Sequence, residues 1–305
     1  MQDYTVTVII PTYRPDEKFR KLLERLRRQS VQPDRILILN TEQKFFPKDL
    51  EDWPGLEIHH ISKSEFDHGG TRDLGAGMAD SDILMFMTMD AVPADTRLIE
   101  NLLRPFANQQ VAAAYARQMP NPDCDPIEIY TRSFNYGQAS CIKTAADLPR
   151  LGIKTFFCSN VCAAYRRCVY QELGGFEKHT IFNEDMIYAG KLIQAGKAIA
   201  YCADARVLHS HNYSGMQQLK RNFDLGVSQA EHPEIFQGIK SESEGIRMVK
   251  NNIVWLLKNG QLLQIPKLIY RSGCKFLGYR LGKNYQKLPR RLINHCTMNP
   301  TYWNL

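Results

Sequence analysis

Short, continuously apolar runs alternate with polar, helix-like stretches through the first ninety residues of the chain. Thr5 to Ile10 is β-branched and ends at Pro11, and the polar stretch Asp16 to Arg28 then reads as a helix. Arg35 to Leu39 after Pro33, Leu56 to Ile61 and Ile83 to Met87 are three further apolar runs, each set apart by polar or helical sequence. Apolar strands that alternate with helices are buried on both faces. The pattern predicts an α/β fold with a mostly parallel sheet flanked by helices, and ligands at the carboxyl ends of its strands.

From about Asn251 the pattern changes. Ile253, Val254, Leu256, Leu257, Leu262, Leu263, Ile265, Leu268, Ile269, Phe276, Leu277 and Tyr279 recur at helical spacing, broken at Gly260 and Pro266 and interleaved with basic residues. No run approaches the ~18 apolar residues of a membrane span, so these helices are expected either to lie on a membrane surface or to cap the main domain.

Composition sharpens this division. With 305 residues, 44% of them hydrophobic, the chain can build one sizeable core, and whole-chain disorder is excluded. The net charge of +7 is unevenly spread. Eleven basic residues and no Asp or Glu follow Glu244, whereas the first 244 residues hold 28 basic against 32 acidic. A mildly acidic body with a strongly basic tail calls for an anionic partner, and without a recognised nucleic-acid motif an anionic membrane surface is the expected one. The tail is also a candidate homodimer contact. Met1 to Tyr4 is polar and Val6 to Ile10 is too short for a signal-peptide core, so the chain is expected in the cytoplasm, peripheral on the inner face of the membrane. The eight cysteines form no C-x-x-C pair, and neither disulfides nor structural zinc are expected.

Candidate chemistry is concentrated between Phe66 and Pro93. Gly69 and Gly70, followed by Thr71 and Arg72 at a helix start, would offer backbone donors, a hydroxyl and a guanidinium to a diphosphate. Asp90, after the strand Ile83 to Met87, would hold the divalent cation that neutralises that diphosphate. Taken singly, the glycines also suit a turn and Asp90 a helix cap. Further on, Glu184 and Asp185 open a helical stretch, where a carboxylate is well presented as a general base, although acids at a helix start are also favoured by its dipole. His209 and His211 flank Ser210 at the end of the run Ala205 to Leu208, where a neutral imidazole suits a metal.

The run Phe66-Asp67-His68-Gly69-Gly70-Thr71-Arg72 with Thr88-Met89-Asp90-Ala91-Val92-Pro93 resembles the family 2 glycosyltransferases, and within them bacterial rhamnosyltransferases of cell-wall and O-antigen polysaccharides. The resemblance spans roughly Val6 to Asp224. It implies a GT-A fold, an inverting transfer, and Mg²⁺ or Mn²⁺ as cofactor. It also implies dTDP-L-rhamnose as donor and a lipid-linked saccharide as acceptor. Pro11-Thr12-Tyr13 is similar to the family's opening nucleotide-binding loop, and these residues together with His68, Gly69, Thr71 and Arg72 are implied at the donor. Asp185 is implied as the base, with Glu184 orienting the acceptor or the base. His209 is implied beside Asp90 as metal ligand, with His211 in reserve. Arg221, in a degenerate Gln-x-x-Arg element, would face the leaving phosphate or the acceptor. The sequence departs from the family pattern at Thr88-Met89-Asp90, where D-x-D is usual, and at Asn40-Thr41-Glu42, where an acid often follows the second strand.

On this basis residues 1–235 are expected to form the catalytic domain, with a nucleotide-sugar half to about 95 and an acceptor half from about 96, and residues 236–305 a basic helical region. A sugar-phosphate nucleotidyltransferase would carry its glycine loop after the first strand, and a dinucleotide-dependent oxidoreductase a G-x-G-x-x-G there. The chain has neither. A non-catalytic nucleotide-sugar-binding scaffold protein is the remaining alternative.

Overall fold

The computed structural model describes residues 4–239 and 242–304. In chain order the strands are β1 (Val6–Tyr13), β2 (Arg35–Thr41), β3 (Leu56–Ile61), β4 (Ile83–Met87), β5 (Val92–Pro93), β6 (Val111–Met119), β7 (Cys141–Lys143), β8 (Cys162–Arg166) and β9 (Ala198–Leu208). The helices are α1 (Glu17–Leu26), α2 (Lys48–Glu51), α3 (His68–Gly77), α4 (Leu98–Leu103), α5 (Pro126–Asn135), α6 (Leu148–Leu151), α7 (Arg167–Glu172), α8 (Glu184–Gln194), α9 (Gly215–Glu231), α10 (Pro233–Phe236), α11 (Glu242–Lys258), α12 (Ile265–Lys283) and α13 (Arg290–Cys296).

The chain divides into two compact units. The first takes the chain through Met119, then Tyr136–Lys178 and Glu184–His209; the second takes Pro120–Asn135, His179–Asn183 and the chain from Ser210 onward. All nine strands belong to the first unit and form one sheet in the order β3-β2-β1-β4-β8-β6-β9-β5, with β7 on β9. The four strands legible in the sequence make its parallel part, β3-β2-β1-β4. Beyond β4 the sheet is mixed, because β8 runs antiparallel to both β4 and β6. Val8, Ile9 and Ile10 are fully buried, as expected for a strand covered on both faces. The helix after β1 starts where Asp16 accepts from the Lys18 and Phe19 N–H groups, and it presents Phe19, Leu22, Leu23 and Leu26 to the core.

One boundary differs from the sequence expectation. Pro11, Thr12 and Tyr13 lie on β1, paired with Leu39, Asn40 and Thr41 of β2, and do not form a loop after it. Pro11 lacks an N–H donor and would ordinarily interrupt a central strand. Here β4 pairs with β1 only from Val6 to Ile9, so at Pro11 one side of β1 has no ladder with β4 for the proline to break.

Helices dominate the second unit. Phe223 and Val227 of α9 pack with Leu219, Ile181, Ile293, Cys296 and Trp303, and a smaller cluster joins Ile127, Leu256 and Leu268. α12 crosses α9 at backbone-to-backbone distance. A Cβ on Gly278 would stand 2.1 Å from the Leu219 carbonyl oxygen, and one on Gly282 2.1 Å from that of Phe223. Any side chain there would force the helices apart. α9, which the sequence grouped with the catalytic region, is thus packed with the C-terminal helices. Among the described residues no helix is long and apolar enough to cross a membrane.

Candidate active site

The antiparallel course of β8 explains how the first unit assembles a site. Because Cys162 is opposite Met87, the residues just before β8 lie at the carboxyl end of β4. There the Thr88 N–H donates to the Val161 carbonyl at 3.1 Å, and Gln118 near the end of β6 donates to Ser159 Oγ at 3.0 Å. Carboxyl ends of β4 and β6 and the amino end of β8 therefore meet at one edge, which in open α/β sheets is the ligand edge.

At the ends of β1 and β2, Thr12 is buried and donates its hydroxyl to Asn40 Oδ1 at 3.1 Å, while Asn40 Nδ2 lies 3.0 Å from His60 Nδ1. Tyr13 is 38% exposed and meets Phe45 edge-on at 5.7 Å. Arg14, held at φ 51°, lays its guanidinium 4.1 Å from the centre of the Phe45 ring. A tyrosine, a phenylalanine and a stacked guanidinium make a platform suited to a planar ring. The sequence pointed to Tyr13 alone; Arg14, in the bend after β1, and Phe45, at the end of a short 3-10 turn, carried no pattern there.

The glycine segment builds the start of α3. Asp67 caps the helix, its Oδ1 accepting the Gly70 N–H at 2.5 Å, and the Thr71 hydroxyl accepts the Asp67 N–H at 3.2 Å. A Cβ on Gly69 would stand 1.9 Å from the Glu177 carbonyl oxygen, so this glycine permits a close backbone approach. Thr71, 2% exposed, is part of the cap, and Arg72 turns inward. These placements give Gly69, Thr71 and Arg72 internal partners where the sequence suggested diphosphate contacts. His68 stacks edge-on against Phe66 at 5.2 Å.

Arg72 donates to the His68 carbonyl at 2.8 Å and pairs with Glu184 at 3.2 Å, both side chains being only 8% exposed. Asn183, at φ 76°, turns the chain into α8, and Glu184 and Asp185 form its first turn. Burial pushes the Glu184 carboxyl upward, but Arg72, His68 and the amide of Asn160, 3.1 Å away, outweigh it and hold the group below its ordinary range. Asp185 receives the Asn160 N–H at 3.0 Å and the Met186 N–H at 2.8 Å. Burial and then the Glu184 charge push Asp185 up to about 7. Two adjacent carboxyls with opposite shifts make one a fixed anion and the other a group that can exchange a proton near neutrality.

Asp90 lies in the turn after β4, caps no helix, and has Oδ1 3.5 Å from His209 Nε2. His209 Nδ1 is 3.1 Å from Gln118 Oε1, and the Gln118 amide already donates to Ser159, so its oxygen accepts from Nδ1–H. That leaves the Nε2 lone pair facing the Asp90 carboxylate. Two facing acceptors repel unless a proton or cation lies between them, so the donor set fits a divalent ion. Gln118 and Asn160 are the polar residues the sequence reading missed. Each is an amide within an alanine-rich or mixed stretch with no chemical motif around it. In the second unit, Arg221 stacks 4.6 Å from the Phe182 ring and 5.8 Å from that of Tyr213. His211 belongs to the second unit and follows His209 with only Ser210 between them in sequence.

A carboxylate pair with split proton affinities and an Asp–His pair, both set at the strand-end edge of an α/β sheet, define a group-transfer site. The family model "Glycosyl transferase family 2" matches residues 7–174, and the chain belongs to that family; it is a glycosyltransferase. It is 42% identical over 302 residues to the O-antigen chain rhamnosyltransferase RfbN of Salmonella typhimurium, covering 98% of this chain and 96% of that protein. To the O-antigen chain rhamnosyltransferase WbaN of Salmonella anatum it is 41% identical over 301 residues, covering 98% and 95%. Among solved structures it is similar in fold to the mannosyltransferase PcManGT from Pyrobaculum calidifontis, in complex with GDP-Man and Mn²⁺. That match has a TM-score of 0.63 at 15% identity and covers 94% of this chain and 87% of that one. The S. aureus TarS 1–349 structure matches at TM-score 0.54 and 13% identity, covering 93% and 91%. These neighbours establish the GT-A fold.

The buried pair yields a stability prediction. Arg72→Met leaves the Glu184 charge buried without its partner and is expected to cost about 3–5 kcal/mol. The double variant Arg72→Met/Glu184→Gln removes both charges and should recover part of that loss. Urea denaturation of the three proteins is the check, and an Arg72→Met midpoint equal to the parent's would contradict the pairing.

Proposed function

We propose that this glycosyltransferase transfers L-rhamnose from dTDP-L-rhamnose, with inversion, to a lipid-linked saccharide acceptor in bacterial cell-surface polysaccharide synthesis. The observation that carries the chemistry is the Glu184–Asp185 pair. The near-full-length likeness to two O-antigen chain rhamnosyltransferases supports the choice of sugar. Asp185 takes the proton of the acceptor hydroxyl as that oxygen bonds to the anomeric carbon, and the bond from that carbon to the diphosphate breaks, releasing dTDP. A single proton-exchanging carboxyl, Asp185, beside an anion held by Arg72 supports a one-step, inverting transfer. Glu184, held as an anion by Arg72, keeps Asp185 basic enough to act near neutral pH.

Asp90 and His209 would hold Mg²⁺ or Mn²⁺. Such an ion, when bound, supplies neutralisation of the charge on the departing diphosphate. Gln118 keeps His209 in the tautomer a metal needs. Tyr13 with Phe45 and Arg14 would receive the thymine ring, His68 would line the diphosphate channel, and Arg221 would face the leaving phosphate or acceptor.

A membrane surface is the proposed location of the acceptor. After Glu244 the chain has no acid, and Lys250, Lys258, Arg280, Lys283 and Lys287 are exposed, whereas Lys267 and Arg271 both pair with Asp125, at 3.2 and 2.6 Å. The outward face of α12 carries exposed Ile269, Tyr270, Phe276 and Leu277, and the turn before it exposes Leu262 and, at 92%, Leu263. An apolar stripe rimmed by lysine and arginine suits an anionic bilayer on the inner face of the membrane.

Two experiments test these readings. In a panel of nucleotide sugars with Mg²⁺ or Mn²⁺, dTDP-L-rhamnose should be turned over selectively. Asp185→Asn should keep donor affinity and lose roughly 10²-fold or more in kcat, while Asp90→Asn should weaken metal-dependent donor binding. Preference for UDP-glucose, or near-normal turnover by Asp185→Asn, would overturn the assignment. Separately, the full chain should co-sediment with anionic vesicles at low salt, less so as ionic strength rises, and Leu262→Ser/Leu263→Ser should weaken it. Indifference to anionic vesicles, with a dimer in solution instead, would assign the stripe to a second copy of the chain.

A further inference from the structure

We propose that Asn160 is a positioning residue that holds both carboxylates of the pair at once, and that Tyr165 braces its amide in place. This rests on the assignment of Asp185 as the base. Asn160 is 2% exposed, in the turn just before β8. Its backbone N–H donates to Asp185 Oδ2 at 3.0 Å, and its side-chain Nδ2 donates to Glu184 Oε1 at 3.1 Å. The remaining amide atom, Oδ1, accepts the Tyr165 hydroxyl at 2.8 Å. Glu184, held as an anion, can only accept, so Nδ2 faces it and Oδ1 is left to accept from Tyr165.

The direction of that hydroxyl is itself constrained. Tyr165 is fully buried, with its ring 5.7 Å from Phe86, 5.5 Å from Phe176 and 5.6 Å from Tyr188. Tyr188 is on α8, one turn beyond Asp185, so the same aromatic cluster ties β8 to the helix that carries the pair. The other flank of the turn is anchored by Lys143, a buried ammonium that donates to the carbonyls of Lys154 (3.1 Å) and Phe157. Burial lowers Lys143 to about 8, and no acid pairs with it; its bonds are to backbone carbonyls. The segment from Phe157 to Asn160 is thus pinned at both ends, although neither pin touches a carboxylate.

The two donors of Asn160 separate cleanly under mutation. The backbone N–H survives any side-chain change, so a substitution reports on the amide facing Glu184 alone. The groups that face the pair are Arg72, His68, the Cys158 thiol, the Tyr165 hydroxyl and the carboxyls themselves. Asn160→Asp keeps the size and the acceptor for Tyr165 but replaces the donor with a third acidic oxygen. Asp185 then becomes harder to deprotonate. The acid limb of the kcat–pH profile should move up by about one unit or more, with KM for the donor unchanged. Tyr165→Phe keeps the ring packing, frees the amide to rotate, and should lower kcat about tenfold at constant KM.

A purely structural role would lower stability and leave the pH profile where it is. Both variants are therefore assayed as full-length folded protein, beside Asp185→Asn, with donor affinity measured independently. If Asn160→Asp does not fold, Tyr165→Phe alone decides. An inactive Asp185→Asn together with wild-type pH profiles and kcat in the other two removes the positioning role and leaves the base. An active Asp185→Asn removes the base and its clamp together.

Discussion

A buried guanidinium must be paired or hydrogen-bonded, and in this chain the pairing of Arg72 with Glu184 organises the site. Arg72 lies one turn inside α3 and Glu184 opens α8, so the pair ties two helix starts that are more than a hundred residues apart in sequence. Replacing such a pair with apolar side chains is often neutral or stabilising, so stability alone does not explain its presence. Its effect on the next residue does. Glu184 is kept ionised by Arg72, and an anion fixed beside Asp185 adds to the burial that already raises that group's proton affinity. A neighbouring charge is thus converted into basicity at Asp185, the proposed base.

The second constraint is topological. Three groups of side chains, Asp90 after β4, His209 after β9, and Ser159 with Asn160 before β8, are far apart in sequence and share one edge. They do so because β8 is antiparallel to its neighbours: an all-parallel sheet would bring the start of β8 to the opposite edge. That reversal lets Asn160 reach the carboxylates of α8 and Ser159 reach Gln118, which orients His209. The Asp90–His209 pair and the Glu184–Asp185 pair are therefore braced by adjacent residues of one turn.

Much of this was legible in the sequence, and the gaps have physical causes. The parallel strands β1 to β4 are valine-, isoleucine- and leucine-rich, and their pattern gave both their existence and the α/β class. β6 and β8 were invisible because Val111–Met119 and Cys162–Arg166 are rich in alanine, which has little strand preference and is chosen here for close sheet packing. Asp90, Asp185 and His209 were found because reactive side chains at strand or helix ends are recognisable locally. Arg72 was expected to face a diphosphate, since an arginine at a helix start reads as exposed; only the fold reveals that Glu184 waits for it. Asn160 pairs with a carboxylate 24 residues away and Gln118 with a histidine 91 residues away, separations that no local pattern records.

The most direct measurement is the ionisation of Asp185 itself. Carboxyl-carbon NMR of aspartate-labelled protein, with Asp185→Asn to assign the resonance, follows that group without depending on turnover. A midpoint near 7 is expected in the parent chain, with a shift toward the ordinary carboxylate range in Glu184→Gln. A parent midpoint near 4, or one that Glu184→Gln leaves unmoved, would contradict the proposal that a buried, arginine-held anion makes Asp185 the base.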